Sequence, residues 1–166
     1  MIALLRIDER LIHGQVATSW SKALDIDTIV CASDEAVQNP LKKKMLLIAA
    51  PPGKKTHVRS VDEVIGLLQD PRAERMKIFL LTDNPKDALK LVSALGLKNV
   101  NLGNYHNRKA EHTASVSMYV QLDRDDLGAL KEISERVADA YVQSLPSTEK
   151  TSLKAFVAAA EKAEWK

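Results

Sequence analysis

The sequence predicts an α/β fold: a mostly parallel open sheet of about six to seven strands, with helices on both faces, three layers in all. Two observations predict it. Short apolar runs rich in β-branched residues alternate along the chain with longer segments whose apolar residues recur at helical spacing. Several of those longer segments open on a capping residue, often with proline or an acidic residue just inside. With 166 residues and no linker, repeat or low-complexity tract, one domain spanning 1–166 is expected.

The elements follow in order. Ile2-Ala3-Leu4-Leu5 reads as a buried strand, and residues 6–16 as the loop leading into a helix. Val16, Trp20, Ala23 and Leu24 give that helix one apolar face, ending near Asp25. Thr28-Ile29-Val30-Cys31 is the second strand, with Ser33-Asp34-Glu35 at its end. Asn39-Pro40 opens a helix whose inner stripe is expected at Leu41, Met45, Ile48 and Ala49, with Lys42-Lys43-Lys44 as a solvated face. Pro51-Pro52-Gly53 stops it.

Thr56-His57-Val58 is a short third strand, and Ser60 with Glu63 a capping box before Val61, Val64, Ile65 and Leu68. Ile78-Phe79-Leu80-Leu81 is a central strand. Asn84-Pro85 caps a helix with Ala88, Leu91, Val92 and Leu95 inward and Gly96 as terminator. Val100-Asn101-Leu102 is the fifth strand. Residues 103–116 read as a long polar loop, and 117–120 as a short strand. Asp123 caps a helix carrying Leu127, Leu130, Ile133 and Val137; 140–142 is a last strand; Ser147 or Thr148 opens the terminal helix. Right-handed crossovers place the loops at 6–14, 33–35, 82–84 and 103–109 along the carboxyl edge of the sheet, where such folds bind ligands.

Composition excludes several classes. Hydrophobic content of 45% and charged content of 28% are those of an ordinary globular protein. A net charge of +2 and 4% aromatics argue against nucleic acid. A single cysteine, Cys31, permits no internal disulfide. No run approaches the ~20 apolar residues of a membrane span, and charged residues interrupt the first apolar run too soon for a signal peptide. These features make the cytoplasm the expected compartment. A dinucleotide fingerprint and a Walker A loop are both missing from the sequence. His106 and His112 are spaced as no common zinc pair, so they read as surface histidines, and no metal or cofactor is expected.

The densest chemistry lies at Arg6-Ile7-Asp8-Glu9-Arg10-Leu11-Ile12-His13-Gly14-Gln15-Val16. An imidazole with an ordinary pKa near ~6.5 is a usable nucleophile at neutral pH. Phosphoryl transfer asks a protein for positioning and for positive charge around the phosphoryl oxygens. Arg10 and Arg6 offer that charge in fork-shaped donors. Asp8 or Glu9 is placed to orient the ring or an arginine. Gly14 permits a sharp turn, and the amides of Gly14 and Gln15 open a helix that attracts anions. The group points to a histidine that carries a phosphoryl group. Three other readings stand beside it: a surface salt-bridge cluster, a regulatory module that binds phosphate without turnover, and a hydrolase with His13 as general base and Ser33 or Asp34 in support. Asp34 is either an acceptor for this loop or a helix cap.

The segment from Arg6 to Val16 resembles the active-site loop of EIIB components of the sugar phosphotransferase system, mannose/fructose/sorbose family. Further matches fall in order at Ser33-Asp34-Glu35, Ala50-Pro51-Pro52-Gly53 and Val100-Asn101-Leu102-Gly103-Asn104. The resemblance implies that His13 is the phosphorylated residue, on Nδ1, with Arg10 as main phosphate partner. It also implies a phosphorylated EIIA donor, an acceptor sugar at a membrane EIIC/EIID transporter, and a cytoplasmic domain peripheral to that permease. A homo-oligomer is compatible with it. The sequence departs from many members at Gly103-Asn104, where they carry Gly-Gly, and near Arg108-Lys109, where they carry Gly-Lys. Lys42 to Lys44 and Lys54-Lys55 are candidates for docking.

Overall fold

The computed structural model describes residues 1–166. In chain order its elements are β1 (Ile2–Ile7), α1 (Gly14–Ala23), β2 (Thr28–Ala32), α2 (Asp34–Gln38), α3 (Pro40–Ile48), β3 (Lys55–Arg59), α4 (Val61–Gln69) and a 3-10 turn at Pro71–Arg75. They continue with β4 (Ile78–Thr82), α5 (Pro85–Leu95), β5 (Asn99–Leu102), β6 (Tyr105–His106), β7 (Ala114–Ser117), β8 (Val120–Leu122), α6 (Arg124–Arg136), β9 (Asp139–Val142), β10 (Thr151–Ser152) and α7 (Leu153–Glu161).

β1 takes the centre of the main sheet because it is apolar on both sides: Leu4, Leu5 and Ile7 are at most 1% exposed. The sheet order is β10-β9-β5-β1-β4-β2-β3, parallel except for the edge strand β10. The chain first steps outward from β1 to β2 and β3. Right-handed crossovers then set α1, α2 and α3 on one face, where Ala17, Trp20, Ala36 and Leu46 meet Leu4, Ile29, Cys31, Phe79 and Leu81. It next steps back to β4 and across to β5 and β9. The same handedness with the opposite direction sets α4, α5 and α6 on the other face, over Leu5, Ile7, Val30, Leu80 and Val100. α7 packs there too. The connection after β1 thus leaves on one face, and those after its neighbours β4 and β5 on the other. That divergence opens a crevice at the carboxyl end of β1.

Local signals explain most helix starts. Ser60 and Glu63 form the capping box of α4, Asn84 caps α5 with Pro85 inside, and Gly96 ends α5 at φ 59°. Asp123 caps α6.

Four expectations need correction. α3 turns its anticipated inner stripe outward: Leu41, Met45 and Ile48 are 68%, 61% and 73% exposed, and only Leu46 is buried. Its inward face is the one that carries Leu46 into the buried cluster of Ile29, Cys31 and Val58, while Asn39 caps the Lys42 amide and Lys42 pairs with Glu35 at the surface. The segment 103–116 is not an open loop. β6, β8 and β7 form a small second sheet over α6, closed by Thr113 and Lys166 exchanging backbone hydrogen bonds. The expected strand at 117–120 is split: Ser117 ends β7, Val120 opens β8, and Met118-Tyr119 form the turn between them. Ser152, rather than Ser147 or Thr148, caps the terminal helix, because Thr148 is spent on a turn with Leu145.

Candidate functional site

β1 runs two residues further than its apolar start suggests, through Arg6 and Ile7. Leu4, Arg6 and Asp8 share the face toward α1, since alternate strand residues point the same way. Arg6 is 1% exposed, so it cannot lie at the surface as a phosphate partner. Its guanidinium donates to Asn101 Oδ1, to the Gln143 carbonyl at 3.0 Å and to Asp8 Oδ2 at 3.0 Å. It also lies 5.3 Å from the centroid of Trp20, a cation–π contact. Burial lowers its basicity, and the Asp8 carboxylate partly restores it. Gly103 makes the room: a Cβ there would stand 2.3 Å from Arg6 Cζ.

Asp8 is fully buried and acts as the hub of the loop. Oδ1 accepts from the Arg10 amide at 3.1 Å and from Arg10 Nε at 3.3 Å. Oδ2, already paired with Arg6, stands 3.6 Å from His13 Nε2, a few tenths of an ångström beyond a full hydrogen bond. Burial pushes the Asp8 carboxyl up, but His13, Arg6 and the Arg10 amide outweigh it and hold it below the ordinary carboxylate range. The backbone is tied down as well: Asp8 N–H donates to the Thr82 carbonyl and Glu9 N–H to the Asn104 carbonyl. Leu11 sits at φ 57°, a left-handed conformation that costs a leucine ~1–2 kcal/mol. Burial of Leu11 and Ile12 holds it there.

His13 follows as the residue before α1, with an extended backbone (φ −151°, ψ 135°) and no capping bond of its own. Its side chain is 25% exposed. Nε2 is enclosed and faces Asp8, whereas Nδ1 is neither enclosed nor hydrogen-bonded. A carboxylate on one ring nitrogen fixes the tautomer with the proton there and leaves the lone pair on the other. Nδ1 is therefore the ring nitrogen left open to solvent. Arg10, 47% exposed, stands at the same carboxylate and is the cation free to meet an anion. Gly14 at φ 40° takes a conformation that favours glycine, and the first-turn amides of α1 face outward beside exposed Gln15.

Two expected site residues are employed elsewhere. Ser33 Oγ caps α2 through the Ala36 amide and donates to Asp83. Asp34 accepts from the Val61 amide at the first residue of α4, so of its two expected roles it takes that of a helix cap and not that of an acceptor for the His13 loop. The residues that sequence reading missed at the site are Asn101, Gln143 and Trp20; Glu9, expected to orient the His13 ring or an arginine, instead binds Asn104 and His106. Asn101 had a signal: a polar residue within a buried strand, in register with Arg6. His106 is not a free surface residue; its ring is tied to Glu9. The loops after β1, β2, β4 and β5 do converge, around a cleft of about 380 Å³ lined by Glu9, Glu35, Asp83, Asn84, His106 and Arg108. No three His, Cys, Asp or Glu side chains gather as a metal site, and no helix is long and apolar enough to cross a membrane.

Fold and site define a class: a doubly wound α/β domain that presents one carboxylate-backed histidine at the carboxyl end of its central strand. Known proteins share this fold. A family model described as the PTS system sorbose subfamily IIB component matches residues 2–166. A probable phosphotransferase enzyme IIB component of Streptococcus pyogenes is 37% identical over 162 residues, 95% of this chain and 99% of that one. The mannose-specific EIIAB component of Escherichia coli K12 is 32% identical over 163 residues, 98% of this chain and 50% of that longer protein. The crystal structure of the IIBSor domain of the sorbose permease from Klebsiella pneumoniae superposes with a TM-score of 0.87 at 29% identity, covering 95% of this chain and 96% of that one. The chain belongs to the sorbose subfamily of IIB components of the sugar phosphotransferase system.

Proposed function

We propose that this chain is a phosphohistidine carrier that takes a phosphoryl group from a phosphorylated EIIA onto His13 and passes it to a sugar held by a membrane EIIC/EIID transporter. One observation carries the reading. The buried Arg6–Asp8 pair faces Nε2 of His13 and leaves Nδ1 outward beside Arg10. In the first transfer the Nδ1 lone pair attacks phosphorus as the donor's own nitrogen–phosphorus bond breaks, and the donor imidazole leaves. In the second a sugar hydroxyl oxygen attacks, its proton departs to a base, and the bond to His13 breaks. Through both steps Asp8 keeps the proton on Nε2 and steadies the ring while charge develops on it. Arg10 and the first amides of α1 offset the phosphoryl charge.

The EIIA partner is supported by the E. coli relative, whose printed name joins EIIA and EIIB in one protein. The acceptor falls in the mannose, fructose, sorbose or amino-sugar class, and the domain works on the cytoplasmic side, peripheral to its permease. The test is transfer from phosphoenolpyruvate through the general enzymes and a cognate EIIA, on wild type and on His13→Ala. An acid-labile, base-stable label on wild type that is absent from the variant is expected. Label persisting on the variant moves the site away from His13, and no label on wild type with a charged donor leaves a phosphate-binding module.

A further inference from the structure

Both ring nitrogens of His106 face acceptors. Nδ1 lies 3.2 Å from Glu9 Oε1, and Nε2 lies 3.1 Å from the Met118 carbonyl oxygen. A neutral imidazole has one N–H and one lone pair, so it satisfies only one of the two; the imidazolium satisfies both. Glu9 is the other half of the arrangement. Its carboxylate also accepts from the Asn104 side chain at 2.9 Å, the His106 backbone amide at 3.3 Å and Arg108 at 3.5 Å.

Glu9 follows Asp8 directly, so the His13 loop is gripped by two adjacent carboxylates. Asp8 holds it from beneath through Arg6. Glu9 holds it from the side, through His106, to the turn between β7 and β8. The left-handed Leu11 lies two residues beyond Glu9, and such a conformation persists only where its surroundings over-determine it.

We propose that Glu9 and His106 are positioning residues for His13: the His106 imidazolium, bridging Glu9 and the Met118 carbonyl, fixes the His13 loop in the geometry that phosphoryl transfer requires. This rests on the carrier reading of His13. The charged groups that line the cleft with His106 come from four sides: Glu9 from the β1–α1 loop, Arg108 and Lys109 from its own segment, Glu35 and Lys42 from α2 and α3, and Asp83 from the residue after β4. Glu9 is the one in direct contact, its Oε1 3.2 Å from Nδ1. Loss of the ring proton as pH rises removes one of the two hydrogen bonds and the charge opposite Glu9, and the loop loosens.

The experiment has two arms. Long-range nitrogen–proton spectra of the unphosphorylated, nitrogen-15-labelled chain are recorded from about pH 5 to about pH 9, the span in which histidines titrate. Both His106 nitrogens are expected protonated at the acid end, and the Glu9, Asn104 and Leu11 amide signals should shift together as that ring loses its proton. In the second arm, single-turnover transfer from a phosphorylated donor is measured for wild type, Glu9→Gln and His106→Gln. Each variant should lower the saturated rate constant about tenfold, the worth of one charge-assisted hydrogen bond, with half-saturation by donor unchanged. Wild type should lose rate at alkaline pH in step with His106, and His106→Gln should lack that limb. A His106 that keeps one bare nitrogen throughout, or variants that transfer at the wild-type rate and pH profile, overturns the proposal. A wild type that takes no label refutes the carrier reading instead, and the spectra still decide whether the clamp exists.

Discussion

Gly103→Ala is the small substitution that the buried Arg6–Asp8 pair is least able to absorb. The new Cβ would stand 2.3 Å from Arg6 Cζ and Nη2 and 2.7 Å from Nη1. Ordinary carbon contacts are ~3.5–4.0 Å, so the guanidinium must retreat by roughly an ångström or more. It has nowhere to go: the side chain is 1% exposed and fastened to Asn101, the Gln143 carbonyl and Asp8. Overpacking costs ~1–3 kcal/mol, and a lost hydrogen bond to a buried charge ~1.5–3 kcal/mol. Together they predict a destabilisation of about 3–5 kcal/mol, the range seen when a buried ion pair is broken. Gly128 is the control. It lies inside α6, and a Cβ there meets nothing within 4 Å. Alanine at that position should stabilise by ~0.5–1 kcal/mol through helix propensity. Denaturant unfolding of the two variants measures both signs. A Gly103→Ala variant that loses less than ~1 kcal/mol would mean that Arg6 is not held as described, and the reasoning about the site would fall with it.

Asp8→Asn leaves Arg6 buried without its counter-ion and should cost ~3–5 kcal/mol in denaturant unfolding. The Asp8 carboxyl is raised by burial but held, on balance, below its ordinary value by His13, Arg6 and the Arg10 amide. Its contribution is therefore complete above the ordinary carboxylate value of ~3.9 and is lost as pH falls through the lowered one. Wild type should show this acid limb in stability against pH and Asp8→Asn should not; identical limbs would refute it. On α3, Leu46→Ala should cost ~2–5 kcal/mol, whereas exposed Ile48→Ala should stay within ~0.5 kcal/mol. Equal losses in chemical denaturation would show that the helix is turned as its sequence first suggests.

The helix starts at Ser60, Asn84 and Asp123 were readable because a cap and its amide lie three residues apart. The same holds for the stop at Gly96, where a single backbone angle decides. The loop after β1 stood out by composition alone, since Arg6, Asp8, Glu9, Arg10 and His13 fall within eight residues. α3 was misread because two stripes fit its pattern, one through Leu41 and Met45 and one through Leu46. The choice between them was made by the core beneath the helix, where Leu46 joins the buried cluster of Ile29, Cys31 and Val58.

The alternation of the main strands and helices and the carboxyl-edge placement of the loops, the one that carries His13 among them, were determined by the sequence alone, because they follow from neighbours in the chain and from chain handedness. Only the tertiary structure decided that Arg6 turns inward, that Gly103 leaves it room, and that Glu9 closes on His106. The contacts of Arg6 with Asn101 and Gln143 span 95 and 137 residues, and that of Glu9 with His106 spans 97. Which groups meet over such distances is set by which strands become neighbours in the sheet, and no local pattern of residues encodes that.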